Sequence, residues 1–414
     1  MRTGMVLLVG AVTALVPVAV SAAGPDPVTA WVSRTADPLR TVDPAAPLDD
    51  LGPLRRSIGG ATIVGLGESA HLASEELDLK HRVLRLLVER MGFRSIAWEE
   101  QWTAGLQVDR CIRTGKGDLT HLMGQLSPQW NNAEVADTLR WLRDYNATHR
   151  DQVRFTGIEF FLIPRSSYVS LESYVARAAP DRLPALRADL REIRPPKGMD
   201  MYQYAASLQQ IPSKVRHARA VRALVAGIPG ADPLMVHTAE QIVLFYQHYN
   251  RPEAAQPRFR DAHSARNLRW WRDYTGDRIA LWAASAHTAV APRLRLSNPA
   301  GSDLRFASAG SYLRRWYGAG YRSIGFTFDH GSVGGVPQPA PERGWFERPF
   351  GAVDLAQFSL DLRRPAPRAV RCWLHRPART RGLFGAGSVT DGGTLRQWFD
   401  VLVHRQVVTS ARPA

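Results

Sequence analysis

A chain of 414 residues is long enough to bury a large core, in one big domain or in two closely joined ones. Its 53 basic residues against 38 acidic ones, a formal net charge of +15, would ordinarily point to nucleic acid, but the basic residues are overwhelmingly Arg, spread along the chain with no run that alternates with aromatics. A nucleic-acid partner is therefore not expected, and the excess reads as a compositional bias, with attraction to an anionic surface as a secondary consequence.

In chain order, the first residues read as an address. Arg2 precedes an apolar stretch, Met5 to Val20, that is short and interrupted by Pro17, and Val20-Ser21-Ala22-Ala23 offers small residues for cleavage. This predicts a signal peptide over 1–23, cut near Ala22 or Ala23, and a secreted or extracytoplasmic mature chain over 24–414. The stretch falls short of a comfortable membrane span, so no stable anchor is expected after cleavage, an uncleaved anchor being the alternative. Gly24 to Ser57 is rich in Pro, Asp and Ala and is expected to pack through short helices.

The most informative stretch runs from Ala61 to Trp102. Thr62-Ile63-Val64 reads as a strand that breaks at Gly65 and Gly67 and delivers Glu68 and His71. From about Ser74 to Met91 the apolar residues Leu79, Val83, Leu86 and Leu87 follow one helical face, and Gly92 stops the helix. Ser95 to Trp98 is a second strand, ending in Glu99 and Glu100. Such a strand, helix and strand make a right-handed βαβ unit with parallel strands. Glu68, His71 and Glu99 then share the carboxyl edge of the sheet, where open α/β sheets bind ligands. Carboxylates that orient an imidazole are the parts for activating water, and they are also the parts of a metal site.

Beyond this unit, Ala104 to Arg113 and Glu134 to Asn146 read as helices, the second capped by Asn131, and Val153 to Ile158 as a strand ending in Glu159. From about 164 to 277 there are helical patterns only, including one from Met201 to Ala226, which suggests an insertion capping the carboxyl edge. The histidines His237, His248 and His263 fall inside it. Ile279 to Ala284 is an apolar run typical of a central parallel strand, delivering Ser285 and His287, and Tyr321 to Phe328 delivers Asp329, His330 and a Gly-rich loop, Gly331 to Gly335. Phe358 to Leu362 and Ala369 to Leu374 read as edge strands, and Leu395 to Val408 as a closing helix or strand. Cys111 and Cys372 are compatible with one long-range disulfide or with two separate thiols. The fold class expected is α/β, a mostly parallel sheet with flanking helices and the helical insertion as cap. Five strands in a row end in ionisable or polar side chains, which argues for an enzyme.

Gly67-Glu68-Ser69-Ala70-His71, Glu75, Lys80-His81-Arg82, Gly92-Phe93 and a strand closing on Glu99 resemble the opening signature of the erythromycin esterase family. Trp130 with Glu134, Trp141 to Asn146, Phe155 to Glu159, Arg260-Asp261 with Asn267, Trp282 to His287, Gly325-Phe326 and Trp398-Phe399-Asp400 continue the likeness over nearly the whole mature chain. The resemblance implies an ester or lactone hydrolase, with macrolides as the prototype substrate and no cofactor, in which His71 is the base and Glu68 and Glu99 are its partners. Glu75 and Lys80 match further motif positions, and together with Glu159 and His263 they are candidates for substrate binding. Two positions depart from the family pattern: Ala284 stands where a first histidine is common, and Leu72 where a glycine usually follows the motif histidine.

No GxSxG nucleophile elbow is present, nor a P-loop, GxGxxG, CxxC or HExxH motif. Hydrolysis would then rest on water activated by His71, oriented by Glu68 and Glu99, with His287 or Lys80 stabilising oxyanion charge. The rival readings are a divalent ion held by Glu68, His71, Glu99 and His287, which a chelator would disclose, and an exported binding protein that turns nothing over.

Overall fold

The computed structural model describes residues 26–208, 211–382 and 387–414; the leader expected at 1–23 lies outside them. The strands run in chain order as β1 (Asp37–Pro38), β2 (Ile63–Glu68), β3 (Ser95–Gln101), β4 (Arg154–Glu159), β5 (Ile279–Ala284), β6 (Leu294–Ser297), β7 (Asp303–Phe306), β8 (Tyr321–Val333), β9 (Val336–Gln338), β10 (Gln357–Asp361), β11 (Thr380–Arg381), β12 (Val389–Asp391) and β13 (Val401–Val408). The main sheet has the order β1-β10-β13-β8-β2-β5-β3-β4, with β9 folded back on β8. From β13 to β4 all neighbours are parallel, while β1 and β10 form an antiparallel edge.

The expected βαβ unit is present, but its two strands are not neighbours. β5 lies between β2 and β3, pairing Glu68 with Ala284 and Trp98 with Trp282. The reason is burial: β2, β3 and β5 are buried at every position, and the run with no polar residue takes the place covered on both faces. The helix Ser74–Met91 ends at Gly92, whose φ of 70° is the left-handed conformation of a C-terminal cap. Trp98 stacks on Trp282 with ring centroids 4.3 Å apart and meets the edge of Trp130 at 5.5 Å, an aromatic layer below the carboxyl edge.

Close backbone approach holds the next helix, Trp102–Thr114, against β4. A Cβ on Gly105 would lie 1.9 Å from the Gly157 nitrogen and 2.7 Å from the Thr156 carbonyl carbon. Both neighbours are backbone and cannot turn aside, so Gly105→Ala is expected to cost about 1–3 kcal/mol as overpacking, read as a lowered denaturant midpoint at unchanged slope.

The insertion comprises helices Arg165–Ala178, Leu183–Ile193, Met201–Ala206, Pro212–Ala226, Pro233–Tyr249 and Gln256–Thr275. It has its own apolar cluster, from Phe160 and Tyr168 to Phe245 and Tyr246, distinct from the cluster under the sheet. The single helix expected over Met201 to Ala226 is broken, because Pro212 has no amide hydrogen to continue it and instead starts a new helix.

Other expectations are corrected. Arg368–His375 is a helix, not a strand: Val370, Trp373 and Leu374 fall on one helical face and are buried, while Cys372 is exposed. Cys111 is buried in another helix, and the two cysteines are free thiols. Asn132, not Asn131, caps Ala133–Thr148, its side chain accepting from the Val135 amide. Gly331 belongs to the long strand β8, which turns back through Gly334 and Gly335 into β9. A second, antiparallel sheet, β11-β12-β6-β7, had no counterpart in the sequence reading. No helix among the described residues is long and apolar enough to cross a membrane.

Candidate active site

β2 ends on Glu68, and the loop after it carries His71 back over the sheet edge. That loop is tied down at both ends. The Glu76 carboxylate accepts hydrogen bonds from the Ser69 amide (3.1 Å), the Ser69 hydroxyl (2.7 Å) and the Ala70 amide (3.3 Å). On the other side the C-terminal residues run along it, the Ser74 amide donating to the Thr409 carbonyl (2.9 Å) and the Ala411 amide to the Leu72 carbonyl (2.8 Å). Glu75 grips this segment, accepting from the Thr409 amide (2.7 Å) and hydroxyl (3.0 Å). The structure thus places Glu75, a candidate for substrate binding, in the scaffold of the loop.

Glu68 divides its two oxygens. One lies 2.8 Å from His71 Nδ1 and the other is paired with Lys80 Nζ. Lys80 is fully buried below the carboxylate, 4.3 Å from the centre of the Trp282 ring, and it does not line the cavity described below. His71 Nε2 has no partner among the described residues, and the ring edge meets Trp130 at 5.1 Å.

Glu99 anchors the facing half. One oxygen accepts from the Ala284 amide (2.8 Å); the other meets Arg260 Nη2 (3.0 Å) and His287 Nε2 (3.2 Å). Arg260 Nε turns to Glu159 (3.0 Å), which also accepts from the Ser264 hydroxyl (3.1 Å). Asp261, the next residue on the same helix, holds His287 Nδ1 at 2.9 Å and accepts from the Ala309 amide at 2.8 Å. Glu100 faces the other way, onto the Ser127 amide and hydroxyl, and burial pushes its carboxyl up to about 7. The adjacent pair of glutamates is therefore split between the cavity and the core.

These contacts give the two imidazoles opposite characters. For His71, burial lowers the pKa, with His287 and Arg260 acting in the same direction against Glu99, so the ring is neutral at neutral pH. For His287 burial also opposes charge, but the Asp261 and Glu99 carboxylates outweigh it and push the ring up to about 10. Burial would raise Glu99, yet His287, His71 and Arg260 hold it well below the carboxylate range. Burial holds Lys80 well below the usual ammonium range.

A cavity of about 410 Å³ opens over this cluster. Its floor is His71, Glu99, Arg260, Asp261 and His287, its walls are Phe161, Pro257, Leu296, Leu304 and Phe306, and His248, Glu253 and Gln256 complete the lining. Glu159 stands behind Arg260. His263 faces elsewhere: it lines a separate groove of about 720 Å³ among the inserted helices, beside His237, bonding Arg266 at 2.9 Å. None of the residues joined to Glu68 or Glu99 lines that larger groove. Sequence reasoning gave no role to Arg260 and Asp261, although the pair was visible as an Arg-Asp motif. Nor did it give one to Trp130. The metal-ligand reading needs Glu68 and Glu99 free to coordinate. Here each is ion-paired, to Lys80 and to Arg260 with His287, and no group of three or more His, Cys, Asp or Glu among the described residues is placed to hold a metal ion.

A parallel sheet that brings carboxylates, two imidazoles and a guanidinium to one cavity at its carboxyl edge defines an α/β protein built like a hydrolase. The sequence profile of the erythromycin esterases matches residues 88–408, and the chain belongs to that family. It is 32% identical over 136 residues to an erythromycin esterase type II of Escherichia coli, a stretch that covers 33% of this chain and only about a third, 32%, of that relative. A protein of Bacillus cereus shares the fold with a TM-score of 0.80 and 26% identity over 94% of this chain and 98% of its own. A succinoglycan biosynthesis protein superposes with a TM-score of 0.82 at 24% identity, with the same coverage. A mutant erythromycin esterase in an open conformation gives 0.69 at 17% identity over 92% of this chain and 99% of its own, a likeness of fold.

Proposed function

We propose that this protein is an exported hydrolase of ester or lactone bonds that uses His71 to activate water, with no serine nucleophile. The observation that carries the reading is the polarity of the His71 ring. Glu68 accepts the Nδ1 hydrogen, which leaves Nε2 as a lone-pair acceptor beside the cavity, on a ring that burial keeps neutral. Water bound there gives its proton to Nε2 as its oxygen attacks the substrate carbonyl. The tetrahedral intermediate collapses when the same proton passes to the departing alkoxide. Developing negative charge meets Arg260, whose Nη1 has no partner among the described residues while Nε and Nη2 are held by Glu159 and Glu99. His287 adds a fixed positive charge, both of its nitrogens being engaged by Asp261 and Glu99. Lys80 acts through Glu68 from below. The export half of the proposal rests on the apolar stretch from Met5 to Val20 and the small residues after it; mass spectrometry of protein recovered outside the cell tests it, with a mature N-terminus near Gly24 expected.

The activity is tested by incubating the mature chain with macrolide lactones and aryl esters and looking for products that gain one water, with and without chelator. Hydrolysis indifferent to chelator is expected, and loss on chelation would point to the metal reading instead. The pH profile carries a sharper test. Activity needs His71 neutral and His287 charged, so kcat/KM should fall on the acid side with an apparent pKa below the ordinary imidazole value of 6.5 and on the alkaline side near 10. An acid limb above 6.5, or a rate that climbs steadily with hydroxide, would count against it.

A further inference from the structure

The wall of the cavity is more specific than its floor. β6 and β7 pair Leu296 with Leu304 and Leu294 with Phe306. Directly opposed residues of an antiparallel pair share a face, so one side of this hairpin is entirely apolar. Leu296, Leu304 and Phe306 line the cavity, and the Phe306 ring lies 6.4 Å from that of His287. Phe161, between β4 and the insertion, and Pro257, within it, also line the cavity. The hairpin is also held in place. Leu294, Leu296 and Phe306 belong to the same core cluster as Phe346, Trp373 and Trp398. On its other face Arg295 pairs with Asp303 at 2.9 Å and with Asp391 of the adjacent strand β12 at 3.5 Å. Phe161 is fixed as well, its ring 4.3 Å below the Arg260 guanidinium and its carbonyl accepting from the Tyr249 hydroxyl at 2.8 Å.

We propose that β6–β7 sets the specificity of this enzyme and limits it to compact, uncharged esters or lactones carrying one apolar group, a medium-length alkyl chain or a single ring. The proposal rests on the hydrolase reading above and deepens it. Volume gives the size. At about 410 Å³ the cavity lies in the lower part of the roughly 300–1,000 Å³ range of small-ligand sites, which suits such a group better than a macrolactone bearing its sugars. Charge gives the polarity. The two cations of the floor, Arg260 and His287, are matched by Glu99 and Asp261, Glu159 stands behind Arg260 and Glu253 lines the rim. The cavity therefore offers no net positive charge to an ionised acyl group, and the guanidinium nitrogen with no partner among the described residues is taken by the oxyanion.

The test is a ladder of aryl esters from acetyl to dodecanoyl, with a macrolide lactone beside it, assayed on the mature chain, on Leu304→Ala and on Leu304→Phe. In the unaltered protein kcat/KM should climb by up to about fourfold per added CH₂, then level off once the cavity is full, with the macrolide turned over far more slowly. Leu304→Ala should move the plateau to longer chains and Leu304→Phe to shorter ones. The same ladder, read as thermal shifts on His71→Ala protein, reports the preference of the cavity without turnover. Macrolide hydrolysis matching the best aryl ester, a flat ladder, or a plateau unmoved in both variants would overturn the proposal. A graded thermal-shift ladder with no turnover by the unaltered protein would support the apolar wall while removing the hydrolase reading. The absence of both would remove the two together.

Discussion

His71→Ala is expected to lower kcat for ester hydrolysis by about 10²–10⁴, the range of a positioned general base, with KM changed by less than about threefold. The split between the two constants follows from where the ring sits. Its Nε2 meets the proton that leaves water as the bond forms, an interaction gained in the transition state, whereas the apolar walls that hold the substrate are made by other residues. The packing of the loop separates this loss from unfolding. Glu76 on one side and Thr409 to Ala411 on the other fix Ser69 to Ser74 through contacts that do not involve the imidazole, so the loop should keep its course. The melting temperature should fall only by what the lost hydrogen bond to the buried Glu68 is worth, about 1–3 kcal/mol. Steady-state kinetics with a thermal scan of the same preparation decides the matter. A variant that keeps more than about a tenth of the activity would shift the base elsewhere, with Glu99 the next carboxylate on the cavity.

Much of this site was legible because strand ends are legible. Ile63-Val64 and Ile279 to Ala284 are β-rich runs closed by Gly or by polar residues, so the parallel edge carrying Glu68, His71, Glu99 and His287 could be assembled from pattern alone. The family profile begins at residue 88, after Glu68 and His71, so for those two the motif residues themselves carried the reading. What stayed hidden was hidden for physical reasons. Arg260 and Asp261 lie on the inserted helix Gln256–Thr275, and successive residues on a helix point about 100° apart, which lets one reach Glu99 and Glu159 while the other reaches His287. Nothing local to the sequence announces that division. β6 and β7 are four residues long and contain Arg295, Asp303 and Arg305, a composition that reads as loop until pairing reveals an apolar face. Ala369 to Leu374 misled in the opposite direction: Val, Trp and Leu suggest a strand by type, but their spacing of three and four is helical.

Lys80→Met is the second large effect, and it separates support from chemistry. Lys80 and Glu68 are both fully buried and paired, and Lys80 also lies against the Trp282 ring. Removing the amine leaves a buried carboxylate with His71 as its one partner among the described residues, and breaking a buried pair in this way costs about 3–5 kcal/mol. The pH dependence identifies the cause. In the variant, a fully buried carboxyl with no amine beside it is expected to favour its protonated form, because burial penalises the charged one, so the folded state would bind a proton more tightly than the unfolded chain does. Stability relative to the parent is then least impaired below the ordinary carboxylate pKa and is lost as pH rises through the raised value. Denaturant midpoints measured from acid to neutral pH should show the gap between the two proteins widening. Glu68→Gln combined with Lys80→Met removes both charges and should recover a good part of the stability, though not the activity, because a glutamine no longer supplies the negative charge that favours the imidazolium formed on His71 during attack. A destabilisation that stays constant across this range, or a double variant no more stable than Lys80→Met alone, would mean that the loss comes from packing against Trp282 and not from the stranded carboxylate.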